Sequence, residues 1–198
     1  MDIKFFNRWD TKGISVADFG LKDYINLESV FVPKTGGRNI KIRFHKSKNS
    51  IVERLINKLM VPGHKGKKHH LTSGYNTGKG AKAYGIVERC FEIIEKRMNM
   101  NPIAVFVKAL ENAAPREEIT TIEYGGAKYP QAVDVGPQRR IDIALRMFVQ
   151  GTYGKTFHGK KRVEEYLADE IINAYNSDHK SVAIAKKLEL ERQADSSR

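Results

Sequence analysis

The stretch from Ile119 to Val135 constrains the fold more than any other part of this chain. Two runs rich in β-branched and aromatic residues flank Gly125 and Gly126, a pair that readily adopts the positive φ angles of a two-residue hairpin turn. Pro130 lies in the second run and cannot donate a ladder hydrogen bond, so it favours a ribbon over a central strand. A lone ribbon is marginal in water, so we expect it to lie against something.

Helical periodicity covers most of the chain after residue 48. Ser50 and Glu53 form a capping box, Asn101-Pro102 is a helix start, and Cys90 falls on an apolar face as a predicted inert core thiol. The six predicted helices cover about 50–60, 82–98 and 102–114, and begin at about 137, 163 and 181. The sequence predicts a mainly α fold: a six-helix bundle at 49–198 with a projecting two-stranded β-hairpin arm at 119–135, after a basic irregular N-terminal extension at 1–48.

Charge indicates the class of partner. The formal net charge is +12, with ten Lys and Arg against five acids in 1–48, ten against four in 49–101 and five against one in 138–160. Such a surplus favours a nucleic acid as partner. No apolar run reaches the roughly 20 residues of a membrane span, and the N-terminus lacks the apolar core of a signal peptide. One cysteine permits no internal disulfide, which favours a soluble protein of a reducing compartment.

Two basic segments are candidates for backbone contact with RNA. Lys41 and Arg43 alternate with apolar residues, so an extended segment would place both cations on one side. The glycine-rich loop from Val61 to Gly80 is expected to approach phosphates closely. Its candidate contacts are Lys65, Lys67 and Lys68. The alternative for the first of these segments is a solvated basic loop.

Two sharper interpretations of that loop fit poorly. A phosphate-binding P-loop needs four residues between its glycines and a hydroxyl after the lysine, whereas Gly74 and Gly78 are closer and Gly80 follows Lys79. A metal site at His64, His69 and His70 would have lysines around it and no acid nearby. We therefore predict no cofactor, no metal and no enzymatic activity.

Arginines mark the start of the fourth predicted helix. Arg139 and Arg140 run against the helix dipole in its first turn, which favours phosphate contact at the base of the arm. Arg146 lies off the apolar stripe, and Lys155 is expected in the following loop. Since neither Arg139 nor Arg140 lies on the apolar stripe, their replacement by alanine is expected to leave stability nearly unchanged.

The arm carries aromatic residues beside a cation. Tyr124 and Tyr129 bracket the turn with Lys128, and such rings can stack on bases or ribose while a cation meets phosphate. The alternative is that the two tyrosines pair across the ribbon and stiffen it.

Several segments together resemble a known family. They are Ser50–Met60, Ala109–Arg116, Tyr124–Gly126 and Ala132–Arg140. They look like the small-subunit ribosomal protein that is numbered seven in bacteria and five in eukaryotes. Val32–Arg38 and the Ser-Ser-Arg ending are similar to the archaeal branch. The match covers nearly the whole chain, except that Leu71–Gly80 looks like an insertion, which leaves Lys79 and Lys82 without a family role.

The resemblance implies a helical bundle that binds the 3′ major, or head, domain of small-subunit rRNA and organises head assembly in the cytoplasmic small subunit. It places the ribbon, Tyr124 to Tyr129, toward the exit-site tRNA and the mRNA exit path, near other head and platform ribosomal proteins. The implied rRNA contacts are Arg38, Lys41, Arg43, Lys46, Lys48, Arg139 and Arg140. The alternative is a DNA-binding architectural protein with a β-ribbon arm, which would need an apolar wedge near the ribbon tip.

Overall fold

The computed structural model describes residues 3–37, 41–61 and 75–198. Its elements are α1 (Phe19–Lys22), a 3-10 helix (His45–Lys48), α2 (Ile51–Leu59), α3 (Gly80–Met98), α4 (Pro102–Ala113), β1 (Glu117–Tyr124), β2 (Ala127–Asp134), α5 (Pro137–Thr156), α6 (Val163–Tyr175) and α7 (Val182–Asp195). The six longer helices are those that the periodicity predicts. The mainly α class with one hairpin is confirmed.

Local sequence sets several helix boundaries. Ser50 caps α2 by accepting a hydrogen bond from the backbone N–H of Glu53 at 3.2 Å. The Glu53 carboxylate is used elsewhere: it accepts from the backbone N–H and the hydroxyl of Thr35, at 2.8 and 2.7 Å. Asn101 caps α4, and Pro102 takes the first helical position, where its missing N–H costs nothing.

The core lies between the long helices, with α6 packed against α3, α4, α5 and α7. Buried aromatic rings connect neighbouring helices: the ring centroids of Phe91 and Phe106 are 5.9 Å apart, and those of Phe106 and Phe148 are 6.4 Å apart. Cys90 is fully buried on α3, and burial raises the pKa of its thiol. The predicted core position of Cys90 is confirmed.

Part of the irregular N-terminal segment joins this core. Phe5 and Trp9 are 1% and 4% exposed, and the Trp9 ring makes an edge contact with Phe91 at 5.8 Å. Leu21 of α1 is also buried. These anchors were not predicted, because the segment has no periodicity that marks them. The division of the chain at residue 48 stays a prediction.

The hairpin is supported at its base and exposed at its tip. β1 and β2 pair antiparallel from Glu117 opposite Asp134 up to the turn, where Gly125 and Gly126 have φ angles of 57° and 82°. The predicted Gly-Gly turn is therefore confirmed. β1 packs against α7, which provides the support that a lone ribbon needs. The distal half of the hairpin is solvent-exposed.

Ion pairs and a backbone contact hold the base of the hairpin to two helices. Arg139 of α5 pairs with Glu118, and Arg198, beyond α7, pairs with Glu117. The backbone N–H of Arg116 donates to a carboxylate oxygen of Glu191 on α7 at 3.0 Å. These contacts fix the direction in which the arm leaves the bundle.

Two segments differ from their predicted conformation. Residues 41–44 form turns and bends before the 3-10 helix, so Lys41 and Arg43 do not alternate along an extended strand as predicted. Phe44 ends these turns in the left-handed region, with φ 59°. Lys155 lies in the last turn of α5, not in the following loop, because the helix continues to Thr156.

Among the described helices, none is long and apolar enough to cross a membrane. The described ranges also contain no group of three or more His, Cys, Asp or Glu side chains placed to hold a metal ion. The histidines weighed as metal ligands, His64, His69 and His70, lie outside those ranges.

Candidate nucleic-acid interface

Two cations from two elements pair with one carboxylate, that of Asp142 on α5. Lys46 of the 3-10 helix pairs with one of its oxygens, and Nη2 of Arg54 on α2 lies 3.1 Å from the other. Lys58 of α2 interacts electrostatically with Asp142 and with Arg146 of α5. We call Lys46, Arg54, Lys58 and Arg146 the basic cluster.

The pKa of Lys58 indicates that the basic cluster carries an excess of positive charge. Burial lowers the pKa of Lys58, the charges of Arg146, Lys46 and Arg54 lower it further, and Asp142 opposes them only in part. A lowered lysine pKa means that the folded protein disfavours the charged form. A phosphate at this position would supply the missing negative charge. The basic cluster is therefore suited to bind an anion.

Sequence reasoning missed two members of the basic cluster. Arg54 and Lys58 lie opposite the apolar stripe of α2, four residues apart, which is the spacing of neighbours on one helix face. The Arg54 side chain is only 5% exposed and donates to the carbonyl of Tyr24 at 3.1 Å. Burial lowers the pKa of Arg54, and Asp142 counteracts that effect. Arg54 is thus the buried member of the basic cluster, whereas Lys46, Lys58 and Arg146 are more accessible to solvent.

Three predicted contacts next to the basic cluster are open to solvent. Lys41, Arg43 and Lys48 are exposed, and no carboxylate of the described residues lies within ion-pair distance of them. The Arg43 guanidinium lies 5.5 Å from the centroid of the Phe44 ring. These cations extend the basic cluster along the segment that carries Lys46.

Arg139 and Arg140 have different environments. Arg139 is 58% exposed and pairs with Glu118 through two hydrogen bonds of 2.6 and 2.7 Å. Arg140 is 11% exposed, pairs with Asp18 at 2.7 Å and donates to the carbonyl of Pro115 at 3.0 Å. The expectation that both side chains are exposed holds only for Arg139. The ion pairs give a second reason for cations in a first helical turn, and phosphate contact by Arg139 and Arg140 stays a prediction.

Lys155 has a structural partner in the bundle. Its Nζ lies 2.6 Å from a carboxylate oxygen of Glu170 on α6, which is completely buried, and 3.1 Å from the carbonyl of Lys180. The other oxygen of Glu170 accepts from the hydroxyl of Ser181 at 2.8 Å and from the N–H of Val182 at 2.5 Å. Lys155 therefore helps to hold the start of α7, and its role as an RNA contact stays a prediction.

Four further predicted contacts, Arg38, Lys65, Lys67 and Lys68, lie outside the described ranges. Lys79, just before α3, and Lys82, in the first turn of α3, lie over the ring of Tyr75. Their Nζ atoms are 4.7 and 3.6 Å from its centroid. Cation–π contacts of this kind can hold two lysine side chains close together although no carboxylate of the described residues pairs with them. The two lysines that lacked a family role thus share one aromatic partner.

The tip of the arm presents apolar and aromatic side chains on one face. Tyr124, Tyr129 and Ile122 are 82%, 59% and 43% exposed. The register places Tyr129 opposite Ile122, and Tyr124 opposite Ala127, so the two tyrosines are diagonal neighbours and not a directly opposed pair. Lys128 is opposite Glu123 on the other face. The tip therefore offers stacking surface rather than net positive charge.

The alternative functions fit the chain less well. The P-loop pattern is incomplete in the sequence, because Gly80 and not a hydroxyl residue follows Lys79, and within the described ranges the only sheet is the hairpin. A minor-groove wedge belongs at the ribbon tip, whereas Pro130 pairs with Thr121 within the ribbon, away from the turn. A helical bundle with a basic cluster and a projecting ribbon instead defines the class: a basic protein that binds RNA through a rigid scaffold.

Comparison with known proteins identifies the family. The ribosomal protein S7p/S5e family matches residues 22–198, and the chain belongs to this family. The chain is 56% identical to the small ribosomal subunit protein uS7 of Nanoarchaeum equitans over 202 residues, with both chains covered completely. It is 49% identical to the uS7 of Methanococcus aeolicus, again with both chains covered completely. The uS7 of Methanosphaera stadtmanae is 46% identical, with 99% of each chain covered.

These comparisons confirm the resemblance drawn from the sequence, including its archaeal branch. The family is a structural, non-enzymatic component of the ribosome, in agreement with the prediction that the chain is not an enzyme. Membership also implies a ribonucleoprotein with an rRNA-binding role in translation.

Proposed function

We propose that this chain binds the 3′ major, or head, domain of small-subunit rRNA directly and nucleates assembly of the head. Its place is the cytoplasmic small subunit, next to other head and platform ribosomal proteins. The relatives described above support this proposal, because each is named as a protein of the small ribosomal subunit and aligns over essentially the whole chain.

The basic cluster is the observation that carries the proposal. Lys46, Lys58 and Arg146 come from three separate elements, and Asp142 pairs with Lys46 and Arg54 and offsets the positive charge around Lys58 only in part. Holding like charges together costs free energy in the isolated protein. A phosphate backbone would remove that cost, and release of its counterions would drive association.

The arm is proposed to act at a different place from the basic cluster. Its tip projects from the bundle with Tyr124 and Tyr129 exposed, while its base is clamped to α5 and α7. Aromatic rings on a rigid support can stack on unpaired bases or ribose without discrimination of sequence. We propose that this tip contacts the exit-site tRNA and the mRNA exit path.

Filter binding to a transcript of the head domain, with duplex DNA of equal length as competitor, tests the proposal. Wild type is expected to prefer the transcript, and the Arg146→Ala variant to bind it several-fold more weakly, because a phosphate partner is lost. Lys96→Ala is a matched control: Lys96 is exposed on α3, sixteen residues after its start, or about 24 Å along the helix axis.

Equal affinity for the transcript and for duplex DNA would contradict the proposal and favour the DNA-binding alternative. Equal losses in Arg146→Ala and Lys96→Ala would show that the protein binds through general charge, without a defined cluster. Both variants alter exposed side chains, so thermal melting should be within a degree or two of wild type.

A further inference from the structure

A cavity of about 1100 Å³ adjoins the basic cluster. Side chains of α2, α3 and the segment before the 3-10 helix line it, and most of them are apolar or aromatic. They include Phe31, Ile42, Phe44, Ile56 and Tyr84. Small-molecule sites in proteins have volumes of roughly 300–1,000 Å³ and the same apolar character. The cavity is therefore large enough for a nucleotide base with part of its sugar.

One wall of the cavity is fixed by hydrogen bonds. Glu53 is 3% exposed, and its carboxylate accepts from the N–H and the hydroxyl of Thr35, at 2.8 and 2.7 Å. Thr35 lines the cavity together with Phe44, whose φ of 59° is uncommon for a bulky residue and whose ring is 60% exposed. The aromatic lining thus lies on a backbone that the fold constrains.

A polar side chain without a partner also lines this cavity. Gln138, at the second position of α5, is 7% exposed, and neither its Nε2 nor its Oε1 has a hydrogen-bond partner among the described residues. Buried polar groups are nearly always hydrogen-bonded, so each exception needs an explanation. A primary amide offers one acceptor and a pair of donor hydrogens side by side. Both atoms are buried, so the side chain would turn toward the cavity to meet a ligand with an adjacent donor and acceptor.

We propose that the cavity binds an unpaired nucleobase of the rRNA, with adenine as the best match. Gln138 would accept from the exocyclic amine of adenine and donate to the adjacent ring nitrogen N1, a two-bond contact on the Watson–Crick edge that an unpaired base leaves free. The aromatic lining would stack on the base, since sequence-specific RNA recognition targets unpaired bases in this way. The inference rests on the proposed function and adds a site that reads sequence.

Charge at the rim supports this occupant over an apolar ligand. Lys34, Arg43 and Lys46 line the cavity beside the aromatic side chains. Lys46 also belongs to the basic cluster, so an RNA strand that follows the cluster would pass the mouth of the cavity. Phosphate contacts position such a strand, and the base contact gives the sequence information.

Chemical probing of the head-domain transcript with dimethyl sulfate tests this site, because the reagent methylates N1 of unpaired adenines. Wild type is expected to protect at least one unpaired adenine that reacts in the free transcript. The Gln138→Leu variant should lose that protection and bind roughly tenfold more weakly, as expected for one lost two-bond base contact. Its salt dependence should be unchanged, because no phosphate contact is removed. Gln193→Leu, an exposed glutamine on α7, is the control.

Leucine at position 138 removes two unsatisfied polar atoms, so the variant should melt at the same temperature as wild type or higher. If Gln138→Leu nevertheless fails to fold, the Phe44→Leu variant is the test in its place. It removes an exposed aromatic ring and should lose the protection of the same adenine. Protection retained in both variants would overturn the proposal. Binding by wild type with a normal salt dependence and no protected adenine would also overturn it. That result would leave the proposed function standing.

Discussion

Arg140 of α5 pairs with Asp18, 122 residues earlier in the chain, with 2.7 Å between Nη2 and Oδ2. The same guanidinium donates to the carbonyl of Pro115, just before the arm. Its neighbour Arg139 instead pairs with Glu118 on an exposed surface. Two adjacent arginines of one helical turn thus have different tasks, and this difference can be measured.

Arg140→Ala should destabilise the protein by about 2–4 kcal/mol, because it leaves Asp18 and a carbonyl without their partner in a partly buried site. Arg139→Ala should cost less than about 1 kcal/mol, as is usual for exposed ion pairs. Urea denaturation of the two single variants gives both values. Equal costs would contradict the distinction, and a negligible cost for Arg140→Ala would restore the simpler expectation that both side chains are dispensable for folding.

The Asp18 pair should also appear in the pH dependence of stability. Burial alone would raise the pKa of Asp18, but its hydrogen bond and charge interaction with Arg140, together with the N–H of Gly20 and the charge of Arg116, outweigh burial and hold that pKa below its usual value. The folded state then binds fewer protons than the unfolded state between the two pKa values. The pair's stabilisation is complete above the ordinary carboxyl pKa and is lost as pH falls through the lowered one. Arg140→Ala should reduce this acid-side slope of the stability curve.

Lys58→Met should preserve or raise the thermal stability of the isolated protein and weaken its binding to the head-domain transcript. The pKa of Lys58 is lowered by burial and by neighbouring cations, so below that pKa the charged side chain destabilises the fold. That penalty fades as pH rises from the lowered pKa toward the ordinary lysine value. Methionine removes it, so the melting temperature at neutral pH should equal or exceed that of wild type, while affinity for the head-domain transcript falls. A lower melting temperature with unchanged affinity would show that Lys58 is a structural residue.

Glu170→Ala should be among the most destabilising single changes in the bundle. The carboxylate is completely buried and holds Lys155, the hydroxyl of Ser181 and the first N–H groups of α7. Its loss should cost about 3–5 kcal/mol, the usual effect of breaking a buried ion pair. Glu189→Ala, which alters a partly exposed glutamate on α7 that pairs with Lys186, is the control. A cost for Glu170→Ala as small as that of the control would mean that the start of α7 is held by other contacts.

The tip of the arm should be dispensable for folding and for binding to the head-domain transcript. Replacing Tyr124 and Tyr129 by alanine should leave melting temperature and affinity for the head-domain transcript nearly unchanged, since both rings are exposed at the tip. Ribosomes reconstituted with this variant should retain exit-site tRNA less well than those with Thr120→Ala and Gln131→Ala, which alter the same face nearer the base. Normal retention combined with defective assembly would show that the tip acts in assembly instead.

Sequence reasoning succeeded where local rules decide the structure. The capping serine of α2, Asn101-Pro102 at α4 and Gly125-Gly126 in the arm depend on backbone preferences of the residues themselves, and each is where the sequence places it. The apolar stripes likewise place Cys90 and the phenylalanines in the core. Conformations of this kind need no knowledge of distant parts of the chain.

The rest depends on contacts between distant residues. Arg140 looks exposed in its own helix, and only packing against the segment of Asp18 buries it. Arg54 lies on the polar side of α2, yet the carbonyl of Tyr24 and the carboxylate of Asp142 make it a buried cation. Neither helical spacing nor residue type contains this information. The same holds for Gln138, because its lack of a partner exists only in the folded protein.

The salt dependence of binding tests the central claim most directly, namely that the basic cluster binds rRNA phosphates. The equilibrium constant for the head-domain transcript should fall steeply with salt, and a log–log plot should lose roughly 0.7 of its slope for each phosphate contact removed from an irregular RNA. Wild type, Arg146→Ala and Lys96→Ala are compared from low to physiological salt. The account predicts a steep slope for wild type and Lys96→Ala and a slope shallower by about 0.7 for Arg146→Ala. A wild-type slope near zero, or an unchanged slope in Arg146→Ala, would contradict it.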